Sequence, residues 1–203
     1  MPKVYAIDGI TPVVHPSAFV HPSAVLIGDV IVAARAYIGP CACLRGDFGR
    51  IVVEEGANIQ DTCMLHGFPG KDTVVGAGAT IGHGAVLHGC VVRRGALVGM
   101  NCVVNDNAEV GEDAVIAALA FVKAEAKVEA RTLVAGIPAR ALRSLTAQEL
   151  RWKKDNMHLY QQLAERSATT MREVEALTEV EPNRKRIDIP GAVPLSELKK
   201  KHA

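Results

Sequence analysis

An aliphatic residue returns every six positions along most of this chain, and few folds accommodate that spacing. The series runs through Val14, Val20, Leu26, Val32, Ile38 and Leu44, resumes at Val53, Ile59 and Leu65 and at Val75 and Ile81, and continues from Val92 through Val98, Val104, Val110, Ile116, Val122 and Val128 to Val134. A small residue sits four places after most of them, as at Ala18, Ala24, Ala36, Ala57, Cys63, Ala79, Cys102 and Ala114. Six-residue spacing spreads apolar positions around an α-helix and does not match a hairpin strand, so both readings fail. It is the period of a parallel β-helix, in which three short strands make one triangular coil of about eighteen residues. Aromatics make up only 4% of the 203 residues while Val, Ile, Ala and Gly abound, as an interior of repeated small layers requires. Glycine follows several aliphatic positions, at Gly39, Gly76, Gly82, Gly99 and Gly111, where the expectation is a corner with positive φ.

The chain divides into a β-helix over residues 1–140, a helix packed on the solenoid within 141–180, and an extended tail over 181–203. The helix is expected from about 146 to 177: Thr146 and Glu149 form a capping-box pattern, and Leu150, Met157, Tyr160, Leu163, Ala164, Met171, Val174 and Leu177 fall mostly on one face. No leader pattern and no apolar run of about 20 residues occurs, so the expectation is a soluble, cytoplasmic protein. Five cysteines without a CxxC pair suit reduced thiols rather than a disulfide framework. A formal net charge of +1 offers no field for nucleic acid or a membrane and leaves a small molecule as the expected partner.

Three of the seven histidines, His66, His83 and His88, lie within "HGFPGKDTVVGAGATIGHGAVLHGC". Two interruptions break the six-residue rhythm nearby, "GDFGRIV" at 46–52 and "GFPGKDTV" at 67–74, and both are expected to be loops at corners, where function concentrates. Counting faces places His66 and His88 on one face in successive coils, about 4.8 Å apart. His83 falls on the preceding face, so a threefold assembly would bring one subunit's His83 to a neighbour's His66 and His88. A register slip marks the same region, since Ile81 to Val92 spans eleven residues where two hexapeptides need twelve. Three imidazoles with one open position form the ligand set of a catalytic zinc. Iron(II) and cobalt(II) suit the same donors. His15 and His21, each before a proline, read as structural, and His158 and His202 lie outside the repeat.

With "LRGDFGRIVV", "GANIQDTCMLHG", "TIGHGAVLHGC", "LVGMNCVV" and "VAGIPAR", the chain resembles the γ-class carbonic anhydrase-like hexapeptide proteins over nearly its full length. That resemblance implies a left-handed β-helix, a hand that general chirality rules would not select, and a homotrimer. It further implies zinc held by His66 and His88 of one subunit and His83 of its neighbour, with Gln60 hydrogen-bonding the metal-bound water. Arg45 and Asp61 match a charged pair at the subunit interface, Asp47 belongs to the same polar network, and Tyr160 matches a tyrosine brought near the site by the C-terminal helix. "HPSAVLIGDVIV", "WKK" and "EPNRKR" resemble the branch of phenylacetate-degradation and carnitine-operon proteins, whose members look like thioesterases on coenzyme A esters or acyl-transfer relatives. The loop at 67–74 offers only Lys71 and Asp72, so the glutamate proton shuttle of the archetypal anhydrases is missing.

Three functions are therefore expected, in this order. The first is metal-dependent hydrolysis of an acyl-coenzyme A thioester, and the second is CO2 hydration at the same site. The third is a non-catalytic trimeric scaffold or an acyltransferase-like protein of an acyl-coenzyme A pathway.

Overall fold

The computed structural model describes residues 2–193 and Glu197; the remainder of the expected tail, with His202, lies outside the described residues. Residues 13 to 136 wind as a left-handed parallel β-helix. Every interstrand ladder among the described residues is parallel until the last coil, where Thr132–Gly136 pairs antiparallel with Ala139–Ser144 and closes the end. One face stacks Met64–His66, Val86–His88, Val103–Val104 and Phe121–Val122. A second stacks Thr73–Val75, Val91–Val92, Glu109–Val110 and Lys127–Val128, and the third runs from Phe19–Val20 to Ala139–Ser144. Two long strands, Val25–Val32 and Cys43–Val53, turn through a corner and join the first two faces.

The six-residue aliphatics fill the interior. Leu26, Ile38, Leu44, Ile59, Leu65, Ile81, Leu87 and Val98 have no exposed surface, and the small fourth-place residues, among them Ala36, Ala57 and Cys63, are equally enclosed. The three-sided cross-section leaves room for one branched side chain per strand and a methyl or thiol at each corner, which is why larger residues are missing there. All five cysteines are free thiols. Burial pushes the Cys63 thiol up to about 11 and the Cys90 thiol up to about 12.

Three expectations need correction. The glycines at 39, 76, 82, 99 and 111 do not have positive φ; that conformation belongs to corner residues two places later, including Cys41, Gly78, Gly84 and Asn101. Their lack of a side chain serves close stacking instead. A Cβ on Gly99 would lie 2.6 Å from Ala118 N, and one on Gly82 would lie 2.9 Å from Met100 N. Second, "GDFGRIV" is no loop. It continues the strand Cys43–Val53 as a wide bulge, in which Asp29 alone stands opposite Asp47–Arg50, because Gly28 pairs Gly46 and Val30 pairs Ile51. Third, the helix spans Ala147–Thr170, and residues 171–193 are irregular, with turns at Pro182–Asn183 and Pro190–Gly191. Its start has the expected capping box between Thr146 and Glu149. Beyond its end Met171, Val174 and Leu177 are 45%, 70% and 63% exposed, so little apolar burial is available there to sustain further turns.

The helix crosses the solenoid on two kinds of contact. Tyr160, Leu163 and Ala164 pack with Phe19 and Tyr37. Nearer its start, the buried Lys153 ammonium donates to Gly95 O and Asp113 Oδ1, each at 2.5 Å. No helix among the described residues is long and apolar enough to cross a membrane.

Candidate active site

The parallel ladder sets His66 directly beside His88, as Cα partners on adjacent coils. The ring centroids are 5.1 Å apart, and Nδ1 of His66 is 3.1 Å from Nε2 of His88. The far side of each ring meets a carboxylate. Nδ1 of His88 contacts Asp106 Oδ1 at 2.5 Å, and Nε2 of His66 contacts Asp47 Oδ1 at 3.1 Å. A carboxylate only accepts, so the proton of His88 sits on Nδ1 and its Nε2 lone pair points at His66.

His66 has a choice, because Arg45 Nη2 also lies 3.1 Å from its Nε2. When Nε2 accepts from Arg45, Nδ1–H donates to His88 and the two rings share a hydrogen bond. When Nε2–H donates to Asp47, two imidazole lone pairs face each other. That second arrangement fits a cation: tetrahedral zinc with Zn–N bonds of about 2.0–2.1 Å needs donors roughly 3.3 Å apart. Among the described residues, one chain brings together no group of three or more His, Cys, Asp or Glu able to hold a metal ion. Within one chain His66 and His88 therefore converge as two facing imidazoles and no more.

His83 follows the strand Thr80–Ile81 on the preceding face and is not joined to the pair within one chain. Its Nδ1 lies 2.7 Å from Asp61 Oδ1. Asp61 therefore accepts from Nδ1–H, which keeps the proton on Nδ1 and leaves the Nε2 lone pair free on a ring that is 45% exposed. Gln60 is buried and occupies the corner position held by Gly39, Gly82 and Gly99 in other coils, and the missing side chains of its neighbours make space for it. Its Oε1 accepts from the His83 backbone N–H at 3.2 Å, and its Nε2 donates to Asn58 Oδ1 at 3.2 Å. Both ends of the amide are thereby engaged in fixing the His83 corner.

The interface pair implied for Arg45 and Asp61 is not formed within the chain. Arg45 faces Asp47 at 3.5 Å, while Asp61 is spent on His83. Tyr160 meets Tyr37, with ring centroids 5.8 Å apart and planes tilted by 58°, rather than His66 or His88. Burial, then the neighbouring Tyr37 and Asp61, push its hydroxyl up to about 12. Tyr160 is thus close to the Asp61 side of the array.

Sequence reasoning missed Asp106, Phe48 and Phe68. Asp106 lies eighteen residues after His88, but the ladder there pairs Leu87 with Val104, so the coil is seventeen residues long and the count lands on Asn105, one place short of it. The phenylalanine rings flank the paired histidines, Phe48 at 5.4 Å from His66 and Phe68 at 4.7 Å from His88. Nothing in the repeat arithmetic marks them, because both sit in its interruptions.

A hexapeptide β-helix with a histidine and carboxylate array on one flank defines the class of protein. No family model matches the chain. It is 58% identical over 183 residues to the carnitine operon protein CaiE of Salmonella newport, a match covering 90% of this chain and 92% of CaiE, and it belongs to that family. A hexapeptide transferase family protein from Anaplasma phagocytophilum is 36% identical, with a TM-score of 0.78 over 80% of this chain and 96% of its own. A candidate acetyltransferase from Bacillus cereus is 29% identical, with a TM-score of 0.82 over 84% of this chain and 99% of its own.

Proposed function

We propose that this protein transfers acyl groups from coenzyme A thioesters, with His83 as general base, in a homotrimer. The observation that carries the reading is the His83–Asp61 pair, which holds one ring nitrogen at 2.7 Å and presents the other to solvent. Similarity to the hexapeptide transferase of Anaplasma phagocytophilum and to the candidate acetyltransferase of Bacillus cereus supports the acyl-transfer chemistry. His83 Nε2 takes the proton of an acceptor hydroxyl or amine as that atom bonds to the thioester carbonyl carbon. The C–S bond then breaks, and the proton passes to the departing coenzyme A thiolate. Asp61 keeps the imidazole in the tautomer that accepts and steadies the imidazolium that forms.

A second reading, hydrolysis with water as acceptor, is favoured by the convergence of His66 Nδ1 and His88 Nε2 at 3.1 Å. Zinc, iron(II) or cobalt(II) held by that pair and by His83 of a neighbouring subunit would supply Lewis acidity toward a water and a carbonyl. Asp106 and Asp47 orient the two rings, and Arg45 competes with Asp47 for His66.

One assay tests both. Thiol release from a panel of acyl-coenzyme A esters is followed with and without amine or hydroxyl acceptors, before and after chelation. Acceptor-dependent release that His83→Ala abolishes supports transfer, whereas acceptor-independent release lost on chelation supports hydrolysis. No release under any condition refutes both and leaves a scaffold. Mixing inactive His66→Ala and His83→Ala chains tests sharing: random trimers restore about a quarter of the sites if the residues meet across subunits, and none if they do not.

A further inference from the structure

We infer that Phe48 and Phe68 form a cradle for the acyl group and select apolar acyl chains longer than acetyl; this rests on the acyl-coenzyme A reading above. The two rings are 63% and 44% exposed, while Phe19 is buried in the packing of the C-terminal helix. A lone exposed apolar residue needs no explanation. Here both interruptions of the repeat deliver a phenylalanine to the same place, one beside each histidine of the pair.

The cradle is built rather than incidental. The segment after His66 is pinned at both ends, since Thr73 Oγ1 donates to His66 O at 2.7 Å and accepts from Gly89 N–H at 3.1 Å. It lies hard against the bulge that carries Phe48: a Cβ on Gly49 would come 2.3 Å from Phe68 O. Gly89, with φ of +55°, leaves open the space beside the Phe68 ring, which an added Cβ would approach to 3.6 Å. Backbone contacts therefore fix the two segments that carry the rings against each other. Beside them stand the two imidazoles with Asp47 and Asp106, so exposed apolar surface adjoins a few placed polar groups. A thioester carbonyl beside the histidines places its alkyl or aryl portion against the phenyl rings.

Each methylene buried against such rings is worth about fourfold in affinity, so hexanoyl-coenzyme A should bind at least tenfold more tightly than acetyl-coenzyme A. The test is calorimetric binding of acetyl-, butyryl-, hexanoyl- and benzoyl-coenzyme A to the full-length protein, alongside turnover. Phe48→Ala and Phe68→Ala are expected to lose about tenfold for hexanoyl- and benzoyl-coenzyme A and less than threefold for acetyl-coenzyme A, with unchanged oligomeric mass. Phe68→Leu, which keeps an apolar wall, should retain most of the preference. A flat chain-length profile in the unmodified protein, equal losses across all esters, or dissociation of the assembly in both the Ala and Leu variants overturns the inference. Preference in binding without any turnover overturns the proposed function and leaves the cradle standing, whereas turnover with a flat profile does the reverse.

Discussion

Replacing Gly99 by alanine should destabilise the coil stack by about 2–4 kcal/mol, and the reason is contact rather than backbone conformation. An added Cβ would lie 2.6 Å from Ala118 N, 2.7 Å from Ile116 O and 2.9 Å from Ala117 C. All three are backbone atoms of the next coil, so no side chain can swing away. Restoring ordinary contact requires a local shift of roughly 0.5–0.8 Å, and the Gly99 N–H to Ile116 O hydrogen bond, now 2.8 Å, is stretched beyond useful length. Losing one enclosed hydrogen bond costs about 1–3 kcal/mol, and overpacking strain is of the same size. The two overlap, which sets the range. Gly70 supplies the opposite case: its φ is +75° and nothing lies within 4 Å of an added Cβ. Alanine there should cost only about 1 kcal/mol, and asparagine less, because asparagine tolerates the left-handed region. Urea unfolding followed by far-UV circular dichroism at fixed protein concentration measures both sites, and heating should show Gly99→Ala lower by about 5–15 °C. Asparagine should rescue nothing at Gly99. If Gly99→Asn is the more stable variant, or if Gly99→Ala costs under about 0.5 kcal/mol, the stacking explanation is wrong.

Asp106→Asn replaces the carboxylate that accepts from His88 Nδ1–H with a neutral amide oxygen, a weaker acceptor, so on the metal-dependent reading zinc affinity measured by chelator competition should fall about 10- to 100-fold; unchanged affinity would count against the facing-lone-pair geometry. Lys153→Met strips Gly95 O and Asp113 of their shared donor and should cost about 1–3 kcal/mol in urea unfolding, with an effect near zero showing that the helix is held by its apolar contacts alone. Tyr160 ionises in the unfolded chain near 10 and in the fold at about 12, so its contribution to stability is full below pH 10 and is lost as pH rises toward 12. Discounted for partial exposure, the loss is about 1–2 kcal/mol. Tyr160→Phe should flatten that decline, leaving the part due to the buried thiols of Cys63 and Cys90; an unaltered slope in the variant would remove Tyr160 from the account.

The repeat was legible because each coil buries its aliphatic and small residues in a fixed order, so Leu65 and Leu87 occupy equivalent places and carry His66 and His88 into register with them. Pursued one coil further the same arithmetic lands on Asn105, one place before Asp106. It fails at corners, where the deciding quantity is the distance to the neighbouring coil's backbone and not the side-chain pattern. Gly82 looks like a conformational glycine in sequence and is a steric one in space. The helix end was illegible for a related reason: Val174 and Leu177 continue the apolar pattern but stay 70% and 63% exposed.

The interruptions are where pattern reading carried least and where the chemistry gathers. An insertion in a solenoid has no neighbour of its own length, so its shape is set by whichever backbone it meets. "GDFGRIV" meets Asp29 on one side and Phe68 on the other, and it flattens into a bulge between them. That bulge presents Asp47 to His66 and Phe48 to its ring face, a few residues beyond Arg45, which touches the same nitrogen. Three competing contacts on one imidazole make its proton position responsive to what binds. The regular coils fix His66 and His88 at 3.1 Å, and the irregular segment decides whether that gap holds a shared proton or two lone pairs ready for a cation.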